Sequence, residues 1–163
     1  MKLTASYIIF IVIIALICSV HLSSQDFMYW ESDFNPIVLP NLTTREGQSD
    51  GGSNLVALFT SGNVEISADN STNARLDGPG GDYLITKYKL NFDGDGVTQT
   101  GAPNGVMTEY NEFLVPPVQI THVVGDDDVG ITLEVRAMNA ANDLANAGDY
   151  TAIQTLTAHW VGP

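Results

Sequence analysis

Cysteine is almost absent from this chain of 163 residues. The single cysteine, Cys18, lies inside an apolar run near the N-terminus, so the residues after that run cannot form an internal disulfide. Roughly 138 residues follow residue 25, which is enough for one domain with a proper hydrophobic core. Stability of that domain must therefore come from its core.

Basic residues are also few. Six Lys and Arg stand against nineteen Asp and Glu, which gives a formal net charge of −13. A protein that binds nucleic acid needs a basic footprint for the phosphate backbone. The composition therefore excludes nucleic acid as a partner and disfavours anionic lipid headgroups. It suits a solvated surface or bound divalent metal.

Recognisable catalytic motifs are missing as well. No Gly-x-Ser-x-Gly context surrounds any serine, and His122 and His159 are too far apart in sequence to indicate a metal pair. We therefore predict that the protein is not an enzyme and that it has no cofactor, apart from the calcium ion considered below.

The most prominent feature present is the apolar run of residues 3–22. About 20 apolar residues are needed to cross the core of a bilayer. Lys2 precedes the run and every acidic residue follows it, so the positive-inside rule places the N-terminus in the cytoplasm. The run predicts a membrane-anchored protein whose domain is extracytoplasmic, in the periplasm or at the cell surface.

The same run could instead be a signal peptide that is removed. Small residues at Ser23 and Ser24 offer a peptidase site, and one basic residue precedes the run. Retention is favoured by the spanning length of the run and by Phe27, Tyr29 and Trp30, which would lie at the membrane interface. We therefore expect an uncleaved signal-anchor.

Three segments are expected along the chain. Residues 1–25 form the apolar helix, and residues 26–53 form a stalk or linker in which Pro36 and Pro40 flank a short apolar patch. This linker also fits a strand exchanged with another protein. Residues 54–163 form an acidic β-domain, since their apolar residues alternate and turn residues separate the short segments.

Alternation is clearest in three segments of that domain. Residues 83–92 and 131–136 place apolar and polar side chains on opposite faces, and residues 149–160 do so with Gln154 on the apolar side. Together with the shorter candidates at 54–59, 63–68, 111–115 and 118–124, they predict an all-β fold. The predicted fold class is an Ig-like antiparallel β-sandwich of seven or eight strands preceded by one transmembrane-length α-helix.

A family resemblance rests on three segments of the second half. Residues 85–90 (Ile-Thr-Lys-Tyr-Lys-Leu), the turn and strand 125–136, and residues 147–152 (Ala-Gly-Asp-Tyr-Thr-Ala) resemble the bacterial spore-coat-U and fimbrial-subunit type of β-sandwich. The resemblance covers about residues 54–160. It implies a non-catalytic surface subunit that polymerises when a strand of a neighbour completes the sandwich.

One loop has the spacing of a calcium-binding loop. Asn91, Asp93 and Asp95 alternate, and Gly96 takes the sixth place, where a sharp turn is needed. The twelfth position is Ala102 instead of the bidentate Glu. The segment predicts either a Ca²⁺ site or a plain Asp-Gly hairpin turn.

Two sequons for N-glycosylation occur at Asn41 and Asn70. Both follow the apolar run, on the side predicted to be extracytoplasmic, so both are candidate modification sites.

The leading hypothesis is a structural subunit of the cell envelope that assembles with copies of itself into a pilus, filament or surface layer. The first alternative is a single-span accessory subunit that caps a larger membrane complex. The second is a secreted module that binds calcium or glycans.

Overall fold

The computed structural model describes residues 25–92, 98–100, 105–140 and 143–163, with the backbone alone for 98–100. Short 3-10 turns occur at Thr72–Ala74 and Pro79–Gly81. The strands of the described chain are β1 (Met28–Trp30), β2 (Ser49–Thr60), β3 (Asn63–Ala68), β4 (Ile85–Phe92), β5 (Thr98–Thr100), β6 (Thr108–Glu109), β7 (Val118–Thr121), β8 (Asp128–Met138) and β9 (Leu156–Gly162).

These strands form two antiparallel sheets. Sheet A has the order β1-β2-β8-β4-β6, and sheet B has the order β5-β7-β3-β9. The two sheets confirm the predicted all-β, sandwich-like architecture.

The central strands of sheet A follow the alternation in the sequence. In β4 the side chains of Thr86, Tyr88 and Leu90 are buried, and in β8 those of Ile131 and Leu133 are buried. The strands pair antiparallel with Leu90 opposite Leu133, so both apolar faces point to the same side. The strand predicted at 83–92 begins two residues later, at Ile85.

The core lies between the sheets and is formed mostly by aliphatic side chains. Its completely buried members include Leu58, Val64, Ile66, Val129 and Ile131. The chain passes from sheet A to sheet B at a tight corner after Thr60, whose buried hydroxyl donates a hydrogen bond to the Gly62 carbonyl (2.8 Å). This corner defines one end of the sandwich.

The segment predicted as a stalk, residues 26–53, packs against the sandwich. Its first part is β1, which pairs with residues 58–60 of β2, and its last residues belong to β2 itself. The domain boundary expected at residue 54 therefore falls inside a strand. Pro36 and Pro40 break the strand pattern between these parts, and the half-buried Phe34, Ile37 and Leu39 pack on the core.

The last strand also differs from its prediction. We expected it at 149–160, but β9 covers Leu156–Gly162 and residues 149–155 are extended with only an isolated bridge between Thr151 and Asp77. The predicted apolar helix lies outside the described residues except for Gln25. Within the described ranges the model contains no helix with the length and apolar character needed to cross a bilayer.

Candidate functional site

A groove of about 970 Å³ opens at the end of the sandwich opposite the Thr60 corner. Its floor is the inner face of sheet A where sheet B does not cover it. One wall is the segment before β2, and the other is the segment before β9. The lining includes Leu84, Tyr88, Leu133 and Val135 on the floor, residues 34–39 and 42–44 on one wall, and residues 145–154 on the other.

The first wall belongs to the N-terminal arm, which we define as residues 26–44. After β1 the arm runs along β2, and Ile37 lies over Gly52. A β-carbon at position 52 would lie 2.6 Å from Ile37 Cγ2, closer than van der Waals contact allows. Gly52 is therefore required for the arm to dock, and a glycine inside a strand often marks such a close approach.

Side chains make the polar contacts of the arm. The Asn35 N–H donates to Asn54 Oδ1 (3.4 Å), and the Asn41 N–H donates to Asp50 Oδ2 (2.9 Å). The Asn41 bond lowers the pKa of Asp50, because it stabilises the carboxylate. From Ser32 to Gly47 the described backbone makes no backbone hydrogen bond to the sandwich. After β1, which pairs with β2 in a short ladder, the rest of the arm is thus docked by side chains.

Asn139 fixes the end of the arm. Its side-chain amide donates to the carbonyls of Thr43 (2.7 Å) and Arg45 (2.5 Å), and its backbone N–H donates to the Gln48 carbonyl (2.9 Å). Asn139 is only 2 % exposed, and its Oδ1 atom has no hydrogen-bond partner. The residue ties the end of β8 to the loop between the arm and β2.

The second wall is held by a carboxylate latch. Asp82 Oδ2 accepts hydrogen bonds from the Tyr150 hydroxyl (2.5 Å) and from the Asn146 N–H (2.7 Å). These bonds lower the pKa of Asp82, with Tyr150 as the larger cause. Desolvation, followed by the bond to Asp82, raises the pKa of Tyr150 to about 12. The neutral phenol and the ionised carboxylate are thus both stabilised.

The Tyr150 ring also lies against Gly78. A β-carbon there would be 2.3 Å from Tyr150 Cε1, so no side chain fits beneath the ring. Beyond Tyr150, the N–H groups of Thr151 and Ile153 donate to the carbonyls of Asp77 (3.0 Å) and Asn73 (2.7 Å). This wall is consequently paired by its backbone, whereas the part of the arm that lines the groove is not.

The predicted calcium loop is only partly described. Asn91 Nδ2 donates to Glu134 Oε1 (2.6 Å), and Lys89 Nζ lies 2.7 Å from the same oxygen. Asp93 and Asp95 lie outside the described residues, so the site stays a prediction. Among the residues that are described, no group of three or more His, Cys, Asp or Glu is placed to hold a metal ion.

The two sequons differ in their surroundings. Asn41 is exposed at a turn of the arm, next to the groove. Asn70 is half-buried, and its Oδ1 atom is buried without a hydrogen-bond partner. The side chain of Asn41 is the more accessible of the two.

The three aromatic residues that were predicted to lie at the membrane interface do not all face the same way. Phe27 and Tyr29 lie on the outside, where Tyr29 is 54 % exposed and stacks on Phe59 with ring centroids 5.2 Å apart. Trp30 is half-buried and packs on the core and on Phe34, with ring centroids 5.8 Å apart.

Sequence reasoning missed the residues that shape the groove. Gly52, Asn139 and Tyr150 act through partners that are distant in the chain. The only local signal was the pair Gly51-Gly52, which was assigned to the linker; in a strand, such glycines often mark the close approach of another segment. Comparison with protein-family models, curated proteins and solved structures found no match to this chain.

Proposed function

We propose that this protein is a non-catalytic structural subunit of the cell envelope that assembles with copies of itself by exchanging the N-terminal arm. Residues 3–22 anchor it, with the N-terminus in the cytoplasm and the acidic sandwich outside. The observation that carries the proposal is that side chains alone dock residues 32–44 of the arm, beside an open groove, so that the backbone pairing of the arm is confined to the short ladder of β1.

An exchanged arm would make the same contacts in a second copy that it makes in its own. Phe34, Ile37 and Leu39 would pack on the neighbour's core, and Ile37 would lie over the neighbour's Gly52. Swapping an identical element between protomers is a low-cost route to assembly, because few new contacts are needed. An arm joined to the sandwich by little backbone pairing suits this exchange.

The loop that follows the arm can serve as a hinge. Residues 43–47 are exposed, and Gly47 has a φ of +66°, a conformation that glycine adopts without strain. Asn139 holds the first part of this loop through Thr43 and Arg45. Release of these two hydrogen bonds would free the end of the arm while β2 stays paired with β8, and exchange of the whole arm also requires β1 to leave β2.

The resemblance to fimbrial-type sandwiches supports the same function, since subunits of that type are completed by a strand of a neighbour. The negative charge of the chain makes its assembly depend on salt. Neighbouring sandwiches each carry a large negative charge, so their repulsion must be screened. Assembly is therefore expected to strengthen as salt is raised from about 0.02 M to 0.3 M.

Disulfide trapping tests the exchange. Ile37 Cγ2 is 2.6 Å from the β-carbon position of residue 52, so the two β-carbons lie within about 4.1 Å, which a disulfide can bridge. The full chain with Cys18→Ser, Ile37→Cys and Gly52→Cys would be oxidised over a range of protein concentrations. Non-reducing gels should then show covalent dimers and larger species, in amounts that rise with concentration.

A matched pair provides the control. Ser53 and Glu134 are opposite each other on β2 and β8, so Ser53→Cys with Glu134→Cys joins two strands that do not exchange. This variant should remain a covalent monomer. If the 37/52 pair also gives only internally linked monomers at every concentration, the arm stays in its own chain and the proposal fails.

A further inference from the structure

The end of the sandwich that contains the Thr60 corner brings three segments together; we refer to it as the corner end. Ser61 N–H donates to the Phe27 carbonyl (3.0 Å), and Phe27 N–H donates to Ser61 Oγ (2.9 Å). Thr60 N–H donates to the Asp127 carbonyl (2.8 Å). The start of the described chain, the β2–β3 corner and the β7–β8 turn are thus linked directly.

The β7–β8 turn presents apolar side chains at its tip. Val123 is 43 % exposed and Val124 is 93 % exposed. The Asp126 N–H donates to the Val123 carbonyl (3.0 Å), and Gly125 has a φ of +90°, so the turn is tight. Polar residues normally occupy such positions. The valine side chains take no part in the backbone hydrogen bond that closes this turn, and the Val124 side chain is almost fully exposed.

The base of this turn is fixed. His122 Nε2 lies 2.9 Å from Asp127 Oδ1, and the His122 N–H donates to Asn63 Oδ1 (2.9 Å). These contacts fix the base of the turn, so the two valines at its tip have a defined position relative to the sandwich.

Aromatic rings extend the apolar surface around this end. Phe27, Tyr29 and Phe59 form a row, with ring centroids 6.1 Å apart for the first pair and 5.2 Å apart for the second. Val161 of β9, 52 % exposed, lies at the same end because the neighbouring Gly162 pairs with Asn63. Tyrosine, the central residue of this row, is one of the two residue types enriched where membranes meet water.

The chain outside the described residues identifies what covers this surface. Residue 24 is bonded to Gln25, two residues before Phe27, so the apolar run of residues 3–22 joins the domain at the corner end. We infer that the corner end rests on the lipid–water interface of the membrane, with Val123, Val124, Phe27 and Tyr29 among the headgroups. This inference rests on the anchored subunit of the proposed function.

The negative charge at the corner end determines which lipid headgroups it can approach. Asp126, Asp127 and Asp128 adjoin the valine tip, and Asp26 precedes Phe27. An anionic surface repels these carboxylates, whereas a zwitterionic surface does not. The lipid class that fits is therefore zwitterionic, such as phosphatidylcholine or phosphatidylethanolamine.

The groove then faces away from the bilayer. β2 runs from the groove end at Ser49 to the corner at Thr60, and its twelve residues span roughly 36 Å at about 3.3 Å per step. The arm hinge would thus lie that far above the membrane.

Depth-dependent quenching tests the orientation. The full chain with Cys18→Ser and Val124→Cys would carry an environment-sensitive fluorophore and be reconstituted into phosphatidylcholine vesicles containing a headgroup nitroxide lipid. The control is Val38→Cys, another exposed valine (76 % exposed) at the groove end. We expect quenching about threefold stronger or more at position 124 than at position 38, since interfacial apolar groups lie within about 5–10 Å of the headgroups.

Flotation of the vesicles is measured first and separates the two possible failures. If the chain does not float, the anchor of the proposed function fails and this inference fails with it. If the chain floats and positions 124 and 38 are quenched equally, only the orientation is overturned. Replacement of one fifth of the lipid by phosphatidylserine should reduce the difference, and an increase would contradict the assignment to zwitterionic lipid.

Discussion

Ile37 occupies the space in which residue 52 would carry its side chain, since Ile37 Cγ2 lies 2.6 Å from the β-carbon position of Gly52. The pair joins the N-terminal arm to the strand that it covers.

Gly52→Ala should therefore release the arm. The added methyl group overlaps a branched side chain that has little room to move, which costs about 1–3 kcal/mol. We expect residues 32–44 to become accessible to limited proteolysis, while β1 and β8 both stay paired with β2. Ser53→Ala, on the opposite face of the strand, is the control and should leave the digestion pattern unchanged. An equally protected arm in both variants would count against this docking.

Asn139→Ala should loosen the loop at the end of the arm and so speed the swapping of the arm between copies. The variant removes the donor to the Thr43 and Arg45 carbonyls at a buried position, at a cost of about 1–3 kcal/mol. Hydrogen–deuterium exchange should rise in residues 40–48. Asn111→Ala, at an exposed turn, provides the comparison. Unchanged protection of residues 40–48 in the Asn139 variant would show that this side chain does not hold the hinge.

Gly78→Ala should displace Tyr150. A methyl group at position 78 cannot coexist with the ring, which lies 2.3 Å from the β-carbon position. We expect a lower Tm, with a loss of about 1–3 kcal/mol in the free energy of unfolding. The double variant Gly78→Ala, Tyr150→Ala should lose less than the sum of the single losses, because the ring is no longer present. Additive losses would mean that the two residues do not interact.

The Asp82 latch predicts a dependence on pH. Tyr150 and the Asn146 N–H lower the pKa of Asp82 in the folded state, so their contribution is present above the unfolded pKa of about 3.9. It is lost as the pH falls through the lower folded pKa. Melting curves should therefore separate wild type from Asp82→Asn at pH 6, and the difference should shrink as the pH falls below the unfolded pKa of about 3.9. Asp149→Asn, at an exposed position nearby, should follow wild type throughout, and a constant gap for Asp82→Asn would exclude the linkage.

Production in a host that performs N-glycosylation should modify Asn41 and leave Asn70 unmodified, because only Asn41 is exposed. Intact mass of wild type, Asn41→Gln and Asn70→Gln tests this. A glycan that persists in Asn41→Gln would reverse the assignment.

The strands of the sandwich were predictable where alternation is local. β3 has the predicted bounds, Asn63–Ala68, and the inward faces of β4 and β8 follow their period of two. Each of these strands has one buried face and one solvent-exposed face. The alternation of apolar and polar residues therefore indicates which side chains point to the core.

The arm and the groove were not predictable in the same way. Phe34, Ile37 and Leu39 lie in a short segment that Pro36 and Pro40 interrupt, so no sustained period reveals their burial. Their partners, Gly52 and the core, become neighbours only after the sheets form. Residues 149–155 alternate like a strand, but their pairing partners 69–77 include a 3-10 turn, so no continuous ladder develops.

The pairing of β2 with β8 limits how early in synthesis sheet A can form. Their paired residues are about 70 to 90 positions apart, and β3 finds β9 only near the C-terminus. Closing such long loops before any contact is gained is slow, as in other β-rich topologies. A nascent chain that ends before residue 128 lacks the central partner of its longest strand, so the centre of sheet A cannot form until β8 has been synthesised.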